Sequence, residues 1–144
     1  MYHIFTLTLD DPCTSTVLTI DAIPDLNLPI GGSIATAIET TFQVVVTDSV
    51  SSTLGNGDGS SFCGSRTFSS PQNSPSYYSI GSKTGLIRMI TADPSLESTR
   101  QTISLTVLLD SDATIKVTET FLVKIISALA ISVDVTIEPL SVKE

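Results

Sequence analysis

Ile103-Ser104-Leu105-Thr106-Val107-Leu108-Leu109, then Asp110-Ser111-Asp112, then a β-branched run over residues 115–126 that closes on Thr120-Phe121-Leu122-Val123-Lys124-Ile125-Ile126, is the stretch that decides the fold. Ile103, Leu105, Val107 and Leu109 recur at every second residue, the side-chain period of a strand with one buried face and not the 3.6-residue period of a helix. The acidic-serine-acidic segment is turn chemistry, so the two runs predict a long antiparallel hairpin. No window of a dozen residues elsewhere carries a helical stripe, and the chain is expected to be all-β.

Outward from that hairpin the same period recurs. Residues 77–80 meet 86–91 across Gly81-Ser82-Lys83-Thr84-Gly85, a second predicted hairpin. Phe42, Val44 and Val46 alternate within residues 40–47, and shorter strands are expected at 17–20 and 62–69. Residues 22–33, with Pro24, Pro29 and Gly31-Gly32, read as a connection or irregular edge. Residues 49–61, centred on Gly55-Asn56-Gly57-Asp58-Gly59, read as a long polar loop, and 70–76 as a second one. Near the start His3, Phe5, Leu7 and Leu9 share one face of a strand and Ile4, Thr6 and Thr8 the other, until Asp10-Asp11-Pro12 stops it. Past the long hairpin, Ile131, Val133, Val135 and Ile137 alternate with Ser132, Asp134 and Thr136. About seven to nine short strands separated by turn signals predict a β-sandwich over residues 13–126. A strand within 1–12 precedes it, and an extension over 127–144 with one more strand follows.

Composition narrows the function. With 144 residues and 41% hydrophobic content the chain fits one domain with a substantial core. Seven basic residues against fifteen acidic ones, net charge −8, leave no cationic cluster to neutralise a phosphate backbone, which argues against nucleic acid and against an anionic membrane surface. No segment approaches the ~20 apolar residues of a bilayer span. Residues 1–11 lack the basic start and continuous apolar run of a signal peptide. Ser and Thr supply more than a quarter of the chain, only 15% is charged, and Trp is absent, a composition typical of extracellular β-modules. Cys13 and Cys63 are the only cysteines, and an even count in such a chain predicts that they pair in an oxidising compartment. Closing a loop of about fifty residues is worth roughly 4 kcal/mol in the chain-entropy account.

Chemistry-bearing patterns are few. The sole histidine, His3, lies on a terminal strand, so a Ser-His-Asp site would have to be built at the edge of the fold. Lys83-Thr84-Gly85 lacks an accompanying Ser-x-x-Lys, and Gly81-Ser82-Lys83-Thr84 lacks the upstream glycine of a phosphate loop. The chain is therefore expected not to be an enzyme and to need no cofactor. No metal site is predicted, since Asp48, Asn56 and Asp58, the nearest approach to a calcium loop, miss the alternating ligands and closing Glu of an EF-hand. There is no Asn-x-Ser/Thr sequon. Thr14, Ser15, Thr16, Ser69, Ser70, Ser74 and Ser76 are hydroxyls in segments of the kind that carry O-linked sugars, with Pro71 and Pro75 as positions for proline hydroxylation.

Two resemblances add to this. Tyr78-Ser79-Ile80 followed by Lys83-Thr84-Gly85-Leu86-Ile87 resembles the strand, Thr-Gly turn and strand of cadherin-like and dystroglycan-type Ig-like domains. The cadherin calcium ligands do not carry over, because Ala92-Asp93-Pro94-Ser95-Leu96-Glu97 lacks the acidic-Arg-acidic pattern. Phe5-Thr6-Leu7-Thr8-Leu9 leading to Asp11-Pro12-Cys13, then residues 42–48, then Phe62-Cys63-Gly64, resembles the repeating Ig-like unit of large surface proteins of microbial eukaryotes. That resemblance implies an Ig-like sandwich and makes residues 5–9 equivalent to 121–125, a last strand ahead of the unit as well as at its end. It breaks off after Ile126, where no new Asp-Pro-Cys follows.

The expectation is a secreted or surface-displayed structural subunit of an extracellular fibril or appendage, joined to itself head to tail by strand complementation. Its donor is Tyr2, His3, Ile4, Phe5, Thr6, Leu7, Thr8 and Leu9, or alternatively the strand of Ile131, Val133, Val135 and Ile137. The competing expectation is an adhesion module that binds carbohydrate or protein through residues 49–61 and 70–76.

Overall fold

A computed structural model describes residues 4, 6–30, 37–54, 62–71 and 74–127. The long hairpin is its centre. Strands β8 (Arg100–Leu109) and β9 (Lys116–Ser127) pair antiparallel from Arg100 opposite Lys124 to Leu108 opposite Lys116. Ile103, Leu105, Val107 and Leu109 on one strand and Phe121, Val123 and Ile125 on the other are at most 4% exposed, so the alternation that predicted them places both rows in the core. Burying each such side chain contributes about 1.5–3 kcal/mol.

The described residues hold seven further strands: β1 (Leu18–Ile20), β2 (Leu26–Ile30), β3 (Thr40–Gln43), β4 (Val46–Asp48), β5 (Arg66–Ser69), β6 (Tyr78–Ile80) and β7 (Leu86–Met89). They form a four-stranded sheet in the order β2-β9-β8-β5, a three-stranded sheet β3-β7-β6 and the pair β1-β4. β3 and β4 are successive parts of one extended run. Val44 donates its N–H to Gly85 O beside β7 (3.1 Å) and Asp21 N–H donates to Val45 O beside β1 (3.0 Å), so the run is bonded to one neighbour and then to the other. Its inward positions, Val44 and Asp48 fully and Phe42 and Val46 in part, face the common core.

The second hairpin forms as predicted, with β6 and β7 antiparallel across the Gly81–Gly85 turn. Gly85 has φ +65°, and a Cβ there would stand 2.7 Å from the Phe68 ring, so no other residue fits without displacing it.

Three expectations are sharpened or corrected. Of the two readings of residues 22–33, a connection or an irregular edge, the second fits: β2 lies within them, parallel to β9, with Leu26, Leu28 and Ile30 buried. It is the outer strand of its sheet, where the missing N–H of Pro29 is tolerated. Residues 49–61 do not begin as loop: α1 (Ser49–Leu54) opens the segment, with the Asp48 carboxylate accepting the Ser51 N–H at 2.6 Å in the manner of a cap. The strand expected over 62–69 is only Arg66–Ser69.

Candidate functional site

The expected donor segment stands apart from the sheets. Of its residues, Ile4 and Thr6 to Leu9 are described, and none is in a strand; Tyr2, His3 and Phe5 lie outside the described residues. The strand expected within residues 1–12 is thus not formed among the described residues. Alternation defines a face, but a strand needs a neighbour to bond, and among the described residues none pairs with the arm. Ile4 is 96% exposed, Leu7 73% and Leu9 86%, three large apolar side chains in one short stretch. The alternative donor, Ile131, Val133, Val135 and Ile137, lies outside the described residues.

The base of this arm is fixed. Asp11 accepts the Cys13 N–H at 2.9 Å and caps a 3-10 turn, Pro12–Ser15, whose first residue cannot donate and so loses nothing there. Cys13 and Cys63 form the predicted disulfide, with Cα atoms 5.3 Å apart. Ser111 donates to Cys63 O at 3.1 Å, which places the disulfide at the turn end of the β8–β9 hairpin. The arm therefore leaves the fold at that end.

Beside it lies a buried polar knot that the sequence did not reveal. Asp48 has a fully buried side chain, and Arg66 Nη2 donates to it at 2.6 Å while Thr16 Oγ1 donates at 3.2 Å. Arg66 Nη1 also donates to Val46 O. Burial pushes the Asp48 carboxyl up, but the hydrogen bonds from Ser51, Arg66 and Thr16 outweigh it and hold the group below its usual range. Arg66 Nε is buried without a partner among the described residues. Of the residues nearest to a calcium loop, Asp48 is a carboxylate paired with a guanidinium, and Asn56 and Asp58 lie outside the described residues. Thr16 is 5% exposed with its hydroxyl engaged, so it is not an accessible site for a sugar in the folded chain. Among the described residues no group of three His, Cys, Asp or Glu is placed to hold a metal.

A second polar cluster sits on the surface at the same end. Lys83 Nζ donates to Asp110 at 2.6 Å and to Thr67 Oγ1 at 2.7 Å, and Ser65 and Thr67 also donate to the Asp110 carboxylate. The Lys83 ammonium, with Ser65 and Thr67, draws the Asp110 carboxyl down to about 2. Lys83 thus serves as a clasp between the 81–85 turn and the end of β8, and its Thr-Gly neighbours shape the turn.

The remaining hydroxyl candidates divide by exposure. Thr14, Ser15, Ser69 and Ser76 are exposed, while Ser70 and Ser74 are half-buried and bonded, Ser70 to the Tyr78 hydroxyl at 3.0 Å and Ser74 to Pro71 O at 2.8 Å. Pro71 is exposed and Pro75 half-buried. Tyr77 and Tyr78 are both 8% exposed, so neither offers the open ring face that a sugar stacks upon. Among the described residues no helix is long and apolar enough to cross a membrane. No family model and no curated protein matches this chain.

Proposed function

We propose that this chain is a structural subunit of an extracellular fibril or surface appendage that assembles head to tail by β-strand complementation. The observation that carries the proposal is the exposed arm: Leu7 and Leu9 share one face of an alternating run, stand in solvent with Ile4, and have no sheet partner among the described residues. An alternating apolar segment without a partner is what strand addition supplies to a neighbour, through main-chain hydrogen bonds for affinity and alternate side chains for register. A contact between an arm on one copy and an edge on the next is heterologous and does not close, so it propagates as a filament.

The sheet orders support an Ig-like reading of the fold. Taken as split strands, β1 with β2 and β3 with β4 reduce nine strands to seven. The chain then reads as A-B-E-D on one layer and A′-G-F-C on the other, with A′ parallel to the last strand. The disulfide fits an oxidising, extracellular setting. Exposed Ser69, Ser76, Thr14 and Ser15 are the positions we propose for O-linked sugars on the assembled surface.

Negative-stain imaging of the purified chain, and of variants lacking residues 1–10 or 128–144, tests this function. Filaments that disappear with the first deletion alone establish the arm as donor. Monodisperse folded particles in all three samples overturn the structural role and leave the adhesion-module reading.

A further inference from the structure

Strand β8 is paired on both sides over only part of its length. Thr99 accepts from Ile125 N–H (3.0 Å) and Leu109 donates to Ile115 O (3.0 Å), so the odd-numbered residues of β8 direct their backbone groups to β9. The even-numbered ones point the other way. Asp110 N–H bonds Ser65 O at 2.9 Å, and β5 continues that pairing through Thr67 opposite Leu108 and Ser69 opposite Thr106, where it ends. Beyond Ser69 no described residue bonds the outward backbone groups of Ser104, Thr102 or Arg100. They border a cleft of about 130 Å³ lined by Pro71, Ser74, Pro75 and residues 101–104.

We propose that residues 6–10 of one copy bind this edge of the next copy as an added strand, antiparallel to β8, with Thr8 opposite Thr102. The proposal rests on the strand-complementation reading above and names its acceptor. In that register Thr6 faces Ser104, Thr8 faces Thr102 and Asp10 faces Arg100. The hydroxyl side chains continue the outer surface of the sheet, and the acid meets an arginine that has no ionic partner among the described residues. On the other face Leu7 comes beside buried Ile103, and Leu9 beside Gln101. Shifting the register by one residue would turn Leu7 and Leu9 to solvent and place Thr6 and Thr8 on the core side.

The donor must be a second copy. Asp10 lies three residues from Cys13 and so within about 10 Å of the disulfide, at the turn end of the β8–β9 hairpin. Arg100 is at the opposite end of β8, about 30 Å away at a strand's rise per residue. The arm and its acceptor occupy opposite poles, which is the geometry of a head-to-tail chain.

The test is a cysteine pair, Leu9→Cys with Gln101→Cys, placed at exposed positions that face each other in a non-hydrogen-bonded pair of the added strand. After mild oxidation, non-reducing electrophoresis of the double variant is expected to show a ladder of covalent multimers absent from either single variant. Filaments by imaging with no ladder would overturn this edge as acceptor while leaving strand exchange standing. Neither filaments nor ladder would overturn both the edge and the assembly.

Discussion

Residues 5–9 and 121–125 have nearly the same pattern and opposite fates. Phe121, Val123 and Ile125 are at most 4% exposed, whereas Leu7 and Leu9 are 73% and 86% exposed. The difference lies in the neighbours: β9 has β8 on one side and β2 on the other, and among the described residues no strand pairs with the arm. Period-two alternation thus specifies which face is to be buried, and the presence of a paired edge decides whether burial happens within the chain.

That contrast predicts a steep ranking of substitutions. Phe121→Ala removes a buried ring that also lies against Tyr78 (centroids 6.2 Å apart) and should cost about 3–5 kcal/mol in urea unfolding. Leu9→Ala, at the position of the arm that corresponds to buried Ile125, should change unfolding free energy by less than about 0.5 kcal/mol while weakening filament formation. A comparable loss of stability from both would mean that the arm is packed in solution, and the comparison would fail.

The polar knot at the arm's base sharpens it. Asp48→Ala leaves Arg66 buried without its counter-charge and should cost about 3–5 kcal/mol at neutral pH. The Asp48 carboxyl is depressed in the folded chain, so its contribution is full above the unfolded carboxylate value near 4 and is lost as pH falls through the lower folded value. Urea midpoints of wild type and Asp48→Asn should therefore converge as pH is lowered from 7 towards 2. A gap independent of pH would show that the carboxylate's charge is not what matters. Replacing Cys13 and Cys63 together by Ser should cost about 2–4 kcal/mol in the same assay and free the arm from its fixed exit point.

The legible parts of the sequence were those with long, uninterrupted alternation. β8 and β9 were readable to within a few residues, as was the 81–85 turn, and the disulfide followed from an even cysteine count. β2 was legible only as a connection or irregular edge, although Leu26, Leu28 and Ile30 alternate, because Pro24 and Pro29 punctuate it; its place at a sheet edge makes Pro29 acceptable. The six-residue helix α1 is too short to display a period and depends on Asp48 at its start. The pairing of Asp48 with Arg66 joins residues 18 apart through tertiary packing, and no local pattern announces it. The arm's alternation was legible, but the arm forms no strand among the described residues, where it has no edge to pair with. The open half of β8 was invisible because its residues look the same as those of the half that β5 covers.

Amide hydrogen exchange at Thr102 and Ser104 tests strand complementation most directly. In filaments of the full chain these two N–H groups should be protected, and in the folded variant lacking residues 1–10 they should exchange at the rate of an open edge. Equal exchange in the two samples, with the odd-numbered amides of β8 protected in both, would contradict it.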